Sequence, residues 1–154
     1  MRRAAGVLAL LLGATLARAG DEPPLPEVGA ALGRIAGRST VDLTTVGRKT
    51  GREHTRPVWF VVADGKILVQ AGKDGKSDWY QNLRKNPAAV LRVAGFTFRT
   101  RAVPVTDPAR VEEIHRLFLR KYTSAWVLSF FGSSIGRGQP VELAPWSVVV
   151  QRDG

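Results

Sequence analysis

The residues best suited to chemistry lie in one glycine-bounded loop, Gly47-Arg48-Lys49-Thr50-Gly51, within the stretch LTTVGRKTGREHTRPVWF. Glycines permit tight backbone turns that leave N–H groups accessible. Arg48 and Lys49 add positive charge and Thr50 adds a hydroxyl donor, so the loop is chemically suited to a phosphate or a carboxylate. A solvated polar hairpin has the same composition, and the loop by itself does not distinguish the two interpretations.

A second basic loop, within AGKDGKSDWYQNL, supplies Lys73 and Lys76. It leads into a short predicted helix over SDWYQNLRKNP, with Ser77 as the N-cap and Asn86-Pro87 as the end. Because helix N-termini favour anions, we expect the two basic loops and this helix end to converge on one anionic ligand.

Three other motif matches do not support catalysis or metal binding. GSSIG, residues 132–136, fits the pattern of a hydrolase nucleophile, but no strand and helix flank it and both histidines precede it. GKS at 75–77 resembles the end of a P-loop, yet Gln70 stands where its first glycine belongs. His54 and His115 have no cysteine to join them in a zinc site of familiar spacing, so no metal site is predicted.

Length and charge limit the classes of protein and partner. A chain of 154 residues is suited to one compact domain. The formal net charge is +10, and +7 remains if Arg2, Arg3 and Arg18 are removed with an N-terminal signal. Such a basic chain favours anionic partners, which include a phosphate or carboxylate ligand, an anionic membrane surface and nucleic acid.

Residues 1–19, MRRAAGVLALLLGATLARA, combine a charged start, an apolar run too short for a typical membrane span and a small-x-small end. This pattern predicts a signal peptide and an exported protein, periplasmic or membrane-associated. The alternatives are an uncleaved anchor or a start codon placed too far upstream, and the latter implies a cytoplasmic protein.

Residues 20–38 are predicted to be a linker and N-terminal segment, extended over GDEPPLPEVG, and residues 39–151 to be the folded domain. β patterns recur along this domain, and a longer helix is predicted from Asp107-Pro108 to about Tyr122. A break is expected at Pro145 in the last strand. Without βαβ alternation, the pattern indicates a mostly β, α+β fold, an antiparallel barrel of about six strands with two or three short helices.

The segments LTTVGRKTGREHTRPVWFV, GKDGKSDWYQNLRKNP and VLRV, in this order and spacing, resemble the deazaflavin-dependent nitroreductase family, the coenzyme F420-dependent oxidoreductases. The resemblance covers about residues 41–105. It implies a split β-barrel, FMN-binding-like fold that binds reduced deazaflavin and passes a hydride to a quinone, a nitro compound or an activated alkene. The cofactor would perform the hydride chemistry, which accounts for the absence of a familiar catalytic constellation.

The resemblance also implies the site residues. Arg48, Lys49 and Thr50 would hold the phosphodiester and polyglutamate tail of the cofactor, with a contribution from Lys73. The groove and the helix beside it would supply the remaining contacts through Pro57, Trp59, Trp79, Tyr80 and Asn82. His54 replaces a second arginine of many relatives, and Arg56 is the expected substitute.

For the acceptor, Tyr122 is the best candidate to orient it or donate a proton, with an apolar wall from Trp126, Phe130 and Phe131. Packing is the simpler explanation for these aromatic residues.

Two rival functions remain: an FMN-binding reductase of the same fold, and a non-enzymatic exported protein that binds an anionic ligand or lipid. No nucleic-acid partner is expected, because the basic residues lie in loops without evident stacking platforms. Many split barrels pair, so a homodimer is a further expectation.

Overall fold

The computed structural model describes residues 24–72, 75–123 and 137–151. Within these ranges six antiparallel strands close into a barrel in the order β1-β2-β3-β6-β5-β4. The strands are β1 Thr40–Val46, β2 Glu53–Ala63, β3 Lys66–Ala71, β4 Ala88–Val93, β5 Phe96–Pro104 and β6 Gln139–Val150. The helices are α1 Pro26–Ile35, α2 Asp78–Lys85 and α3 Pro108–Lys121. The mostly β fold predicted from the sequence is confirmed.

Alternation along β5 shows why these segments form a barrel. Phe98, Thr100 and Ala102 are buried, whereas Arg99 and Arg101 between them are exposed. Successive strand side chains point to opposite faces, so one face of β5 builds the barrel interior and the other meets solvent.

Tight turns connect neighbouring strands. Asp64 and Gly65 both adopt positive φ between β2 and β3, and Ala94 and Gly95 do so between β4 and β5. Two residues of positive φ match the right-handed twist of a hairpin.

Helix α1 corrects the predicted linker over residues 20–29, because a helix begins at Pro26. Proline is favoured in the first turn of a helix, and Val28, Leu32 and Ile35 recur at helical spacing and are buried with the barrel core. Gly29 and Gly33 weaken the intrinsic helix propensity of this segment. Burial of its apolar stripe outweighs that cost, which local composition does not reveal.

The expected break at Pro145 is a β-bulge instead. Pro145 pairs with Thr100 and Ser147 pairs with Arg99, which leaves Trp146 as the extra residue on β6. A bulge tolerates a proline that has no N–H to donate, so β6 continues to Val150.

Helix α3 packs on the outside of the barrel through a second apolar cluster. Ile114 and Phe118 face Val61 and Leu68, and Asp107 caps the helix by accepting a hydrogen bond from Arg110 N at 2.9 Å. The predicted start of this helix at Asp107-Pro108 is confirmed.

A charge network completes the attachment of α3. The Arg110 guanidinium contacts carboxylates of Asp64, Glu113 and Glu142, and Glu142 also accepts from Lys66. Burial alone would raise the pKa of Glu142, but its hydrogen bonds to Lys66 and Arg110 lower it.

Candidate functional site

The loop between β1 and β2 is a closed hairpin turn that packs its polar side chains over a glycine. Gly51 N donates to Gly47 O at 2.8 Å, and Gly51 has a φ of +68°. A Cβ at position 47 would lie 2.7 Å from Thr50 Oγ1 and 2.9 Å from His54 Nε2. Gly47 is therefore required for the close approach of the Thr50 hydroxyl and the His54 ring.

Buried Asn82 joins this hairpin to helix α2. Its Oδ1 accepts from Arg48 N at 3.0 Å and from Arg48 Nη1 at 3.2 Å, and its Nδ2 donates to Thr45 Oγ1 at 3.2 Å. Lys85 Nζ donates to Arg48 O at 2.9 Å. These bonds fix the hairpin on the helix, and most buried polar groups in proteins are satisfied in this way.

The Arg48 side chain is also held by the first residue of α2. Nη1 lies 3.1 Å from Asp78 Oδ1 and 3.4 Å from Asp78 O. The Asp78 side chain is 85% exposed, so water competes for this ion pair. Ser77 occupies the N-cap position as predicted, but its hydroxyl donates to Gly72 O and caps no helix N–H.

A cavity of about 320 Å³ opens between the hairpin and α2. It is lined by Thr45, Gly47, Arg48, Lys49, Thr50, His54, Arg56, Asp78, Trp79 and Asn82. Six of the site residues that the sequence predicts are thus brought together: Arg48, Lys49, Thr50, Arg56, Trp79 and Asn82. Within the described ranges, the cationic groups of Lys49 and Arg56 have no ion-pair partner. The donor set suits an anionic ligand.

Sequence reasoning had not assigned Thr45 and Asp78 to the site, and it treated Gly47 only as part of the loop and His54 only as the replacement of a second arginine. Thr45 belongs to a segment whose pattern predicts only a strand, and its bond to Asn82, 37 residues away, shows its role. His54 and Arg56 are two positions apart on β2, with Thr55 between them, and therefore share a face. That spacing was the available signal for His54.

Pro57 and Trp59 do not line this cavity, and the groove contacts that the resemblance implies for them stay a prediction. They lie on the face of β2 opposite to Arg56, because side chains alternate along a strand. Pro57 is exposed, and Trp59 stacks on Tyr122 with ring centroids 4.9 Å apart.

Tyr122 is buried at the end of α3 and also does not line the cavity. Its Oη accepts from Phe60 N at 3.1 Å and lies 2.8 Å from each of two possible acceptors, Phe60 O and Ser39 O. Burial raises the pKa of Tyr122 to about 12, partly offset by the Phe60 backbone. The hydroxyl bonds to backbone groups where β1 begins beside β2, and its proposed role toward the acceptor stays a prediction.

Other predicted residues cannot be placed. Lys73, Trp126, Phe130 and Phe131 lie outside the described residues, as do residues 1–19 of the predicted signal. Across the described ranges, no helix is long and apolar enough to cross a membrane. The same residues contain no group of three or more His, Cys, Asp or Glu that could bind a metal ion.

Solved structures share this fold at low sequence identity. A putative pyridoxamine 5'-phosphate oxidase from Listeria innocua is 15% identical, with 80% of this chain and 94% of that chain covered and a TM-score of 0.58. A conserved hypothetical protein from Mycobacterium tuberculosis is 19% identical, with coverages of 81% and 80% and a TM-score of 0.55. An F420-H2 dependent reductase, FDR-A, is 25% identical, with coverages of 69% and 93% and a TM-score of 0.51.

The family match is more specific than the shared fold. The model of the F420H(2)-dependent quinone reductase family matches residues 26–128, which include α1, both walls of the cavity and α3. This range covers most of the chain, and coenzyme F420 is the cofactor of the family. The chain is therefore an oxidoreductase that belongs to the F420H2-dependent quinone reductase family.

Proposed function

We propose that the protein transfers a hydride from reduced coenzyme F420 to a hydrophobic acceptor, with a quinone favoured over a nitro compound or an activated alkene. The observation that carries the proposal is the cationic cavity between the hairpin and α2, in a chain of this family. The family description supports a quinone. The other two acceptor classes rest on the resemblance between the sequence motifs.

The cavity fits the anionic part of the cofactor. Lys49 and Arg56 offer cations that are not paired within the described chain, and Thr50 offers a hydroxyl. A side chain at Gly47 would collide with Thr50 and His54, so this glycine preserves the shape of the wall. These residues would hold the phosphodiester and the polyglutamate tail.

Trp79 gives the cavity its large apolar surface. Its ring is partly buried against the barrel core, so one side is fixed by packing while the cavity side stays available to a ligand. Bound reduced deazaflavin supplies the hydride. The chain's own contribution is to bind the tail, to position the ligand against Trp79 and to exclude water from the wall that Thr45 and Asn82 close.

Two rivals make different predictions for the same cavity. An FMN enzyme would use the cations for one terminal phosphate. A non-enzymatic protein would bind an anionic ligand or lipid without redox turnover. Export, membrane-surface association and a homodimer also stay proposals, although one solved structure of the same fold, at 24% identity, is described as a domain-swapped dimer.

The decisive experiment titrates the full chain in parallel with F420 and FMN, and follows absorbance and fluorescence. We expect low-micromolar or tighter binding of F420, weaker binding of FMN, and oxidation of reduced F420 when menadione is added. A nitroaromatic and an enone measured under the same conditions rank the acceptors. Tight binding without any oxidation would favour the non-enzymatic protein, and preference for FMN would favour the other rival.

A further inference from the structure

One carboxylate stands in the cavity among three cationic side chains. Of the lining residues, Arg48, Lys49 and Arg56 carry positive charge, and Asp78 carries the one negative charge. A cavity that binds a polyanion has no evident need for an acid. The position of Asp78 therefore requires a separate explanation.

The contacts of Arg48 show what this acid does. Nη1 of Arg48 makes its three hydrogen bonds to α2, two to Asp78 and one to Asn82. The Asp78 carboxylate thus pairs with the Arg48 guanidinium, which would otherwise be available to an anionic ligand. Lys49 and Arg56 have no such partner in the part of the chain that the structure describes.

A purely structural role for Asp78 would rest on its place in the first turn of α2. An acidic residue there interacts favourably with the helix dipole. The hairpin, however, is already attached to α2 by the buried Asn82 and by Lys85, which contacts the backbone of Arg48. The exposed Asp78 carboxylate therefore contributes little to attaching the hairpin to α2, and its main effect is to place a negative charge at the cavity.

We propose that Asp78 sets the charge selectivity of the cavity by competing with the anionic ligand for Arg48. The proposal rests on the proposed function, in which this cavity takes the anionic tail of the cofactor. Asp78 then lowers affinity for every anion, and lowers it more for each further negative charge on the ligand. It is a specificity-determining residue that acts through Arg48.

The test is Asp78→Asn, which removes the charge and keeps the size and a carbonyl acceptor. Because the carboxylate is mostly exposed, we expect F420 to bind about two- to fivefold more tightly at low salt. The gain should be larger for cofactor with a longer polyglutamate tail. It should shrink as salt is added, since salt screens exposed charges. Affinity is measured from deazaflavin fluorescence and needs no turnover.

Asp42→Asn is the matched control. Asp42 is an exposed acid of β1 that does not line the cavity, and its replacement changes the net charge of the protein by the same amount. We expect it to leave F420 affinity within measurement error. An equal gain in both variants would assign the effect to net charge and overturn the role of Asp78.

Unchanged or weaker binding by Asp78→Asn would also overturn the proposal, and weaker binding would show that Asp78 positions Arg48 for the ligand. If the wild-type chain binds no F420, the proposed function fails and the role of Asp78 is decided with inorganic phosphate and pyrophosphate by calorimetry. If Asp78→Asn binds these anions more tightly than the wild-type chain, and the gain in affinity is larger for pyrophosphate than for phosphate, the role of Asp78 is supported. Equal affinities, or no measurable binding of either anion by either protein, count against it.

Discussion

The two halves of β2 differ in their exposure to solvent. Residues 53–57 are exposed, and this half brings His54 and Arg56 to the cavity. In the second half Phe60 is fully buried, and its backbone N–H and C=O both contact the Tyr122 hydroxyl. In the first half, here called the open half, Arg56 has no ion-pair partner among the described residues. In the second, the closed half, the backbone N–H and C=O of Phe60 are hydrogen-bonded within the protein.

The two halves differ in whether their polar groups already have hydrogen-bond partners within the protein, and this difference distinguishes a candidate binding surface from a structural contact. Tyr122 has the residue type of a proton donor, yet its hydroxyl is committed to the backbone of Phe60 and Ser39. Lys49 and Arg56 have ordinary residue types, yet within the described chain their charges are uncommitted. Free hydrogen-bonding capacity beside a cavity is what allows a ligand to bind there.

The largest expected effect comes from removing the positive charges of the hairpin that leads into the open half of β2. Arg48→Ala with Lys49→Ala should weaken F420 binding by about a hundredfold or more at low salt, since a charged contact contributes roughly 1.5–3 kcal/mol. Fluorescence titration measures the affinity, and the double variant should also lose much of the salt dependence.

A charge-matched control comes from α3, where Arg116→Ala with Arg120→Ala removes two exposed cations outside the cavity. It should retain affinity close to that of the wild-type chain. If the hairpin variant folds and still binds F420 as tightly as the wild-type chain does, the hairpin is a solvated turn and the cavity is not the tail site.

The next largest effect is expected from weakening the attachment of the β1–β2 hairpin to α2. Asn82→Ala leaves Arg48 N without its side-chain acceptor in a partly buried place, so the free energy of unfolding should fall by up to about 3 kcal/mol. Urea unfolding checks this change. Asn86→Ala, which removes an exposed hydrogen bond to Ala88 N, serves as the control and should cost far less. Similar losses in both variants would show that Asn82 does not carry the attachment.

At the closed half of β2, Tyr122→Phe should lower the free energy of unfolding by about 1–2 kcal/mol, because Phe60 N loses its acceptor in a buried position. F420 affinity should stay within about twofold of the wild-type value, since the hydroxyl lies away from the cavity lining. A large fall in turnover with unchanged stability would instead restore Tyr122 to the mechanism as an acceptor-orienting residue.

Local patterns in the sequence predicted the strands and the starts of α2 and α3 because alternation and capping residues act over a few residues. The start of the longer helix at Asp107-Pro108, for example, is confirmed by the structure. Long-range partners were beyond such reasoning. The bond between Arg48 and Asn82 spans 34 residues, and the bond between Tyr122 and Phe60 spans 62. The basic loop could therefore be predicted as a candidate site, whereas the hydrogen-bond partners of Tyr122 and the contact between Asp78 and Arg48 required the fold.

The smallest expected effect also concerns the closed half of β2, which Lys121 contacts. Its Nζ donates to Phe60 O at 2.7 Å and lies 4.0 Å from the centroid of the Phe60 ring. Burial lowers the pKa of Lys121 to about 8 from the usual 10.5. Between these values the unfolded chain binds more protons than the folded protein at this residue, so stability should rise with pH.

The useful interval is pH 8–10, because Tyr122 has its pKa raised to about 12 and begins to act in the opposite direction above its ordinary value of 10. Solvent screening of the partly exposed amine limits the rise to no more than about 1 kcal/mol. Lys121→Met should flatten this part of the stability profile measured by urea unfolding, while Lys76→Met, at an exposed position, should leave it intact. Equal slopes in all three proteins would mean that Lys121 is as well solvated as a surface lysine, and the closed half of β2 would then be less dry than its contacts indicate.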